Sequence, residues 1–207
     1  MQSYGDPIAS GAEADVFDSE YLGRKAVAKV RSPKRYRHPE LDSKIRSSRM
    51  RNEVRLMRDA RRAGVRTPVV YDVDIEECSI VMEKVQGVKI KDVLDSGNNN
   101  RELCDLIGKT VADLHNAGIC HGDLTTSNMI LTDDGKVCLI DFSMGRSASE
   151  IEDIGVDIRL LERAFSSAHP GLGNEYKVLI DAYIKRKERS ETVMKKVEEI
   201  KNRGRYT

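Results

Sequence analysis

The segment His121-Gly122-Asp123-Leu124-Thr125-Thr126-Ser127-Asn128, followed by Ile140-Asp141-Phe142, constrains this chain of 207 residues more tightly than any other feature. Transfer of a phosphoryl group needs a carboxylate beside the acceptor oxygen, an amide and a second carboxylate for magnesium, and a cation on the nucleotide phosphates. Asp123, Asn128, Asp141 and Lys29 can supply all four. Asp123 and Asn128 have ordinary alternatives, as a turn residue and as a helix or hairpin cap. Their joint occurrence at this spacing does not follow from those alternatives. A fold that uses them must bring a lysine near the amino terminus to a carboxylate far along the chain.

The amino-terminal pattern suits that task. From Asp6 to Val30 short β-branched runs alternate with turns at Ser10-Gly11-Ala12 and Ser19 to Gly23, which predicts two or three antiparallel strands. Lys29 ends the strand Ala26-Val27-Ala28-Lys29. Two prolines and four basic side chains, counting His38, between Ser32 and Pro39 predict a loop. A long helix is expected from about Leu41 to Ala63, with Ile45, Met50, Val54, Met57 and Ala60 at helical spacing and Gly64 as terminator. Glu53 lies at the edge of that apolar face and is the candidate partner for Lys29; the alternative is a surface pairing with Arg49 or Arg58. Val69 to Val73 and Ser79 to Glu83 read as two further strands.

After Val85 the pattern turns helical, so a lobe boundary is expected near Lys84 to Gly87. Leu103, Ile107, Val111 and Leu114 form one stripe that ends at Gly118; further helices are expected at about Ile154 to Ser167 and Asn174 to Lys185. The division is residues 1–84, 85–189 and a basic tail, 190–207, expected to be exposed or to order on a partner.

Net charge is only +1, yet Arg24 to Arg66 holds sixteen Lys or Arg against four Asp or Glu. Such a segment attracts phosphates, on a nucleotide or on a nucleic acid, or else is a solvated helix face. Aromatic residues make up 5% with no Trp, which disfavours a stacking platform for single-stranded bases. No apolar run approaches the ~20 residues that span a bilayer, and Met1 to Pro7 lacks a signal pattern, so a cytoplasmic protein is expected. Cys78, Cys104, Cys120 and Cys138 match no zinc or redox spacing and read as small buried hydrophobes.

A nucleotide would need cover for its base. Ile8 and Val16 above and Ile130 below are candidates, with the connector Met82-Glu83-Lys84-Val85 offering backbone groups to the ring edge; ordinary core strand residues are the alternative. Gly11-Ala12-Glu13-Ala14 has one of the three glycines of a phosphate loop, although a turn between strands can still aim N–H groups at phosphates. His121, followed by Gly and Asp, suits orienting the loop better than acting as a base.

Together these residues resemble the protein-kinase-like superfamily, and the His-Gly-Asp variant narrows the likeness to its atypical branches: the small kinase of the KEOPS complex, the RIO kinases, and the aminoglycoside or choline phosphotransferases. Glu152 to Phe165, close after Asp141, together with Ser10-Gly11-Ala12-Glu13-Ala14 and Arg203-Gly204-Arg205, looks most like the first. The resemblance implies an α+β bilobal fold, with an antiparallel sheet and one long helix in the small lobe and a minimal helical large lobe without an activation segment. It implies MgATP as cofactor and Ser/Thr autokinase or ATPase activity. Asp123 would be catalytic, Asn128 and Asp141 would hold the metal, and Lys29, Glu53, Ile8, Val16, Glu83, Val85 and Ile130 would hold the nucleotide. Asp157 would tie down the amides of His121 and Gly122. The implied partners are the sugar-kinase-like subunit of tRNA threonylcarbamoyladenosine synthesis, through the large lobe and tail, and a small regulatory subunit, through the small lobe. The basic segment 24–66 could add a tRNA contact. RIO-type ribosome maturation and a noncatalytic, nucleotide-stiffened scaffold are the rival readings. Ser143, where the family has Gly after Asp-Phe, departs from the pattern and could narrow backbone freedom.

Overall fold

The computed structural model describes residues 5–11, 13–97, 100–148 and 150–203; Ala12 of the predicted first turn and Gly204 to Thr207 of the predicted tail lie outside them. Five antiparallel strands make the first layer: β1 (Ala9–Ser10), β2 (Asp15–Tyr21), β3 (Arg24–Val30), β4 (Val70–Asp74) and β5 (Ser79–Glu83), in the order β1-β2-β3-β5-β4. Lys29 on the central β3 is opposite Val16 on one side and Ile80 on the other. Its position is therefore set by two ladders rather than one.

Helix α1 (Pro39–Arg62) begins two residues before the expected start, because Pro39 fits the first helical turn and Glu40 and Asp42 suit the positive end of its dipole. Met50, Glu53, Leu56, Met57 and Ala60 are buried on one stripe. Gly64 ends the helix at φ +89°, a left-handed conformation that glycine adopts without a Cβ clash.

Beyond residue 84 two short elements appear that the hydropathy pattern did not predict, β6 (Gly87–Lys89) and α2 (Ile90–Ser96). Their brevity leaves too few positions for a period to emerge. The expected stripe is α3 (Asn100–Asn116). It leads into β7 (Ile119–Cys120), a 3-10 turn at Thr126–Asn128, then β8 (Met129–Thr132) and β9 (Val137–Leu139). Strands β6, β8 and β9 form a small antiparallel sheet, and β10 (Arg146–Ser147) pairs with β7. Only nine residues separate Asp141 from α4 (Ile151–Ala168), which leaves no length for an activation segment. Glu150 and Asp153 close a capping box at the start of α4.

Helix α5 (Gly173–Arg186) crosses α3 closely: a Cβ on Gly108 would stand 2.1 Å from the Leu179 carbonyl oxygen. The stretch after Lys187 differs from its expectation. Ser190–Arg203 is a sixth helix, α6, packed on α4 with Val193 and Val197 buried. Its Lys, Arg and Glu residues mask an amphipathic face: Val193, Val197 and Ile200 recur every three or four positions. One hydrophobic cluster joins Met50, Met57 and Ile80 above to Ile107, Leu161 and Phe165 below. No described helix is long and apolar enough to cross a membrane.

Candidate active site

Because successive residues of a strand alternate faces, Lys29 and Arg31 point the same way, towards α1. Lys29 Nζ donates to Glu53 Oε1 at 2.6 Å and to Asp141 Oδ1 at 2.8 Å. The Arg31 Nη2 donates to the other Glu53 oxygen at 2.5 Å. Glu53 is fully buried, and two cations compensate the desolvation of its carboxylate. The proposed surface partners go elsewhere, Arg49 to Glu13 and Arg58 to Asp59.

Asp141 is held in the left-handed region at φ +61°, which Asp tolerates better than most residues. Burial by itself would raise its carboxyl; Lys29 and the Ser143 amide, 3.2 Å from Oδ1, outweigh that and hold it at about 2. The carboxylate is therefore ionised and available to a cation at neutral pH. Ser143 itself takes no positive φ, so the residue that departs from the family pattern occupies ordinary backbone.

The loop carrying Asp123 is fastened from below. His121 N donates to Asp157 Oδ2 at 2.7 Å and Gly122 N to Oδ1 at 2.8 Å, as the resemblance implied. Burial would raise Asp157, but the His115 hydrogen bond at 3.1 Å and the His121 amide keep it below the usual carboxylate range. Gly122 needs its lack of a side chain: at φ +79° a Cβ would lie 2.1 Å from the Met144 carbonyl oxygen. The His121 Nε2 donates to the Ile140 carbonyl at 2.9 Å, and Asp123 N donates to Nδ1 at 3.3 Å. Burial lowers the His121 pKa, so the ring stays neutral and orients the loop. His115, Cys120 and Asp157 lie close together. The Asp157 oxygens already accept three N–H bonds and burial pushes the Cys120 thiol up to about 12, so the trio is a hydrogen-bonded anchor.

Asn128 Nδ2 donates to Asp123 Oδ2 at 2.8 Å and to its carbonyl at 3.1 Å. With Nδ2 so committed, the amide oxygen is the atom Asn128 has for a cation. Two cavities meet at Lys29 and Asp141. A charge-lined one of about 400 Å³ has Gly11, Glu13, Arg31, Asp123 and Ser143 in its wall; an apolar one of about 390 Å³ is lined by Ile8, Val16, Glu83, Val85, Asn128 and Ile130. All ten candidate residues thus fall at one cleft, nine on its walls and Glu53 behind Lys29. The Glu83 side chain faces away from a nucleotide role: it pairs with Arg66 and accepts from Val69 N at 3.0 Å, which leaves only its backbone for a ligand.

Sequence reasoning missed Arg31 and Glu13. The strand alternation that put Lys29 on the inner face puts Arg31 there too, and that signal was available. The basic segment is also less free than its count suggested, since Arg37 and Arg46 pair with Asp42 and Arg66 with Glu83. Arg24, Lys25, Arg35, Lys44, Arg51 and Arg62 are exposed. All four cysteines are buried and free, and burial pushes the thiols of Cys104, Cys120 and Cys138 up to about 12, as small hydrophobes should behave.

A family model described as the RIO domain matches residues 18–168. The KEOPS complex subunit Bud32 of Pyrococcus abyssi is 38% identical over 96% of this chain and 95% of that one. The chain belongs to the RIO-domain family, in the branch of these KEOPS subunits. The EKC/KEOPS complex subunit Tp53rkb of Mus musculus is 37% identical, over 96% of this chain and 86% of its own length. A probable bifunctional tRNA threonylcarbamoyladenosine biosynthesis protein of Methanothermobacter thermautotrophicus is 43% identical over 98% of this RIO-domain chain, which spans 37% of that relative. In fold the chain is similar to a Rio2 kinase from Chaetomium thermophilum solved with ADP, Mg2+ and phosphoaspartate, at a TM-score of 0.66 and 17% identity, covering 99% of this chain and 72% of that one.

Proposed function

We propose that this RIO-domain chain is a MgATP-dependent atypical Ser/Thr kinase or ATPase that serves the KEOPS complex in threonylcarbamoyladenosine modification of tRNA. One observation carries the chemical part: Lys29 Nζ bridges Glu53 and Asp141 where the apolar and charge-lined cavities meet. The apolar half suits an adenine, with Ile8 and Val16 on one face and Ile130 on the other, and backbone groups of Glu83 to Val85 at its edge. The charge-lined half, with Lys29 and Arg31 in its wall, suits phosphates.

Magnesium fits the donor set, because the ionised Asp141 carboxylate and the Asn128 amide offer hard oxygens. When bound it would neutralise phosphate charge during transfer. Lys29, fixed between two carboxylates, would present a rigid cation to the nucleotide. Asp123 would accept the proton of a hydroxyl acceptor or orient a water. His121 would keep the loop in register without exchanging a proton.

Residues 1–84 would form the small lobe and meet a small regulatory subunit; residues 85–189, with the segment 190–207, would form the large lobe and meet the sugar-kinase-like threonylcarbamoyltransferase subunit. The exposed cations of segment 24–66 would contact tRNA, and the assembly would work in the cytoplasm. The names of the relatives support the assignment. Replacing Asp123 with Ala should lower turnover by about a hundredfold or more while nucleotide affinity holds. Parental turnover in that variant, with the partner subunits present, would sink the catalytic reading and leave a noncatalytic scaffold. The RIO-domain match also favours a second reading, ribosome maturation. Native copurification separates the two, since one expects a tRNA-modifying assembly and the other a preribosomal particle.

A further inference from the structure

A second line of polar groups runs beneath the catalytic loop and takes no part in the chemistry described so far. Thr126, the first residue of the turn that ends at Asn128, is 3% exposed, and its Oγ1 lies 3.0 Å from His169 Nε2. His169, at the end of α4 and 4% exposed, has its Nδ1 2.9 Å from Asp95 Oδ1 on α2. A carboxylate only accepts, so Nδ1–H donates to Asp95, and in the neutral tautomer this selects, Nε2 accepts from the Thr126 hydroxyl. Phe165 packs against the ring at a centroid distance of 5.1 Å and limits its rotation.

Carboxylate, imidazole and hydroxyl in this order also activate nucleophiles. Here the hydroxyl is buried, so no acceptor or donor can reach it. What the chain can do is hold. Helix α4 grips the loop at two points, Asp157 on the amides of His121 and Gly122 and His169 on Thr126. Asp123 lies between the two grips, and Asn128 is two residues past the second.

We infer that His169, backed by Asp95, is a positioning residue that fixes the Thr126 turn and thereby aims the Asn128 oxygen at the metal. This rests on the phosphoryl-transfer reading of the same site. Neighbours that orient a metal ligand typically change metal affinity by about 10- to 100-fold when removed.

The test uses the full chain with Thr126→Val, which keeps the shape of the side chain, and with His169→Ala and His169→Gln. ADP affinity is measured by calorimetry in EDTA and across a Mg2+ titration, alongside thermal melting. Thr126→Val and His169→Ala should raise the Mg2+ concentration for half-maximal effect by about tenfold and leave ADP affinity in EDTA within about twofold. His169→Gln, whose amide oxygen can accept the hydroxyl, should recover part of the loss. An unchanged Mg2+ dependence in folded Thr126→Val, or an equal loss of metal-free ADP affinity, overturns the inference. Asn128→Ala runs beside them: if it shifts the Mg2+ dependence and Thr126→Val does not, the positioning role alone is wrong. If Asn128→Ala also leaves it unmoved, the metal reading falls and takes this inference with it.

Discussion

Glu53 shows how a buried charge is made tolerable. Both its oxygens are occupied, one by Lys29 and one by Arg31, and Arg31 is 2% exposed with its Nε unpartnered among the described residues. Replacing Arg31 with Met should therefore cost about 3 kcal/mol in urea unfolding, because the carboxylate would stay buried with half its compensation gone. A loss below about 1 kcal/mol would mean that Lys29 alone suffices. Asp141 makes a pH prediction. Its carboxyl stands at about 2 in the folded chain against an ordinary 3.8, so the unfolded chain binds that proton first on acidification. The stability it contributes is whole above pH ~4 and is lost as pH falls towards 2; Asp157, lowered likewise, adds in the same direction. Melting temperature against pH should fall over that window, and less steeply in Asp141→Asn. Ser143→Gly should change stability by no more than about 1 kcal/mol, and in the destabilising direction, since Ser143 takes no positive φ and glycine adds freedom to the unfolded chain.

At the scale of elements, α4 organises the lower half. On one side Asp157 and His169 hold the loop that carries Asp123, and on another α6 packs on α4 through Val193 and Val197. Val193→Ala and Val197→Ala should each cost about 1 to 2 kcal/mol, from lost transfer energy plus a cavity, as read by urea unfolding. A freely exposed tail would show no loss. The sequence reading failed at α6 because high charge was weighed above spacing, although the three-and-four recurrence of Val193, Val197 and Ile200 was visible. It succeeded at α1 and α3, where the apolar stripes are long. Strand β6 and helix α2 escaped because no period can be read over so few residues.

For the whole molecule, one apolar cluster extends from α1 and β5 to α3, α4 and α5. A single cooperative unfolding transition is expected, shifted upward by MgADP by about 2.7 kcal/mol at a hundredfold excess over its Kd. Two resolved transitions in calorimetry would show that the halves fold independently.

Which side chains are candidates for phosphoryl transfer was legible in the sequence, because that chemistry admits few residue types and Asp123, Asn128, Asp141 and Lys29 stand in recognisable local contexts. Most of the elements that carry them were legible too, because strand and helix periods are local properties of a chain. What no local pattern contains is which distant charge meets which. The sharing of Glu53 by Lys29 and Arg31, the grip of Asp157 and His169 on the loop, and the pairing of much of the basic segment depend on contacts between residues far apart in the chain. Their energies come from burial and geometry that exist only after the layers have packed.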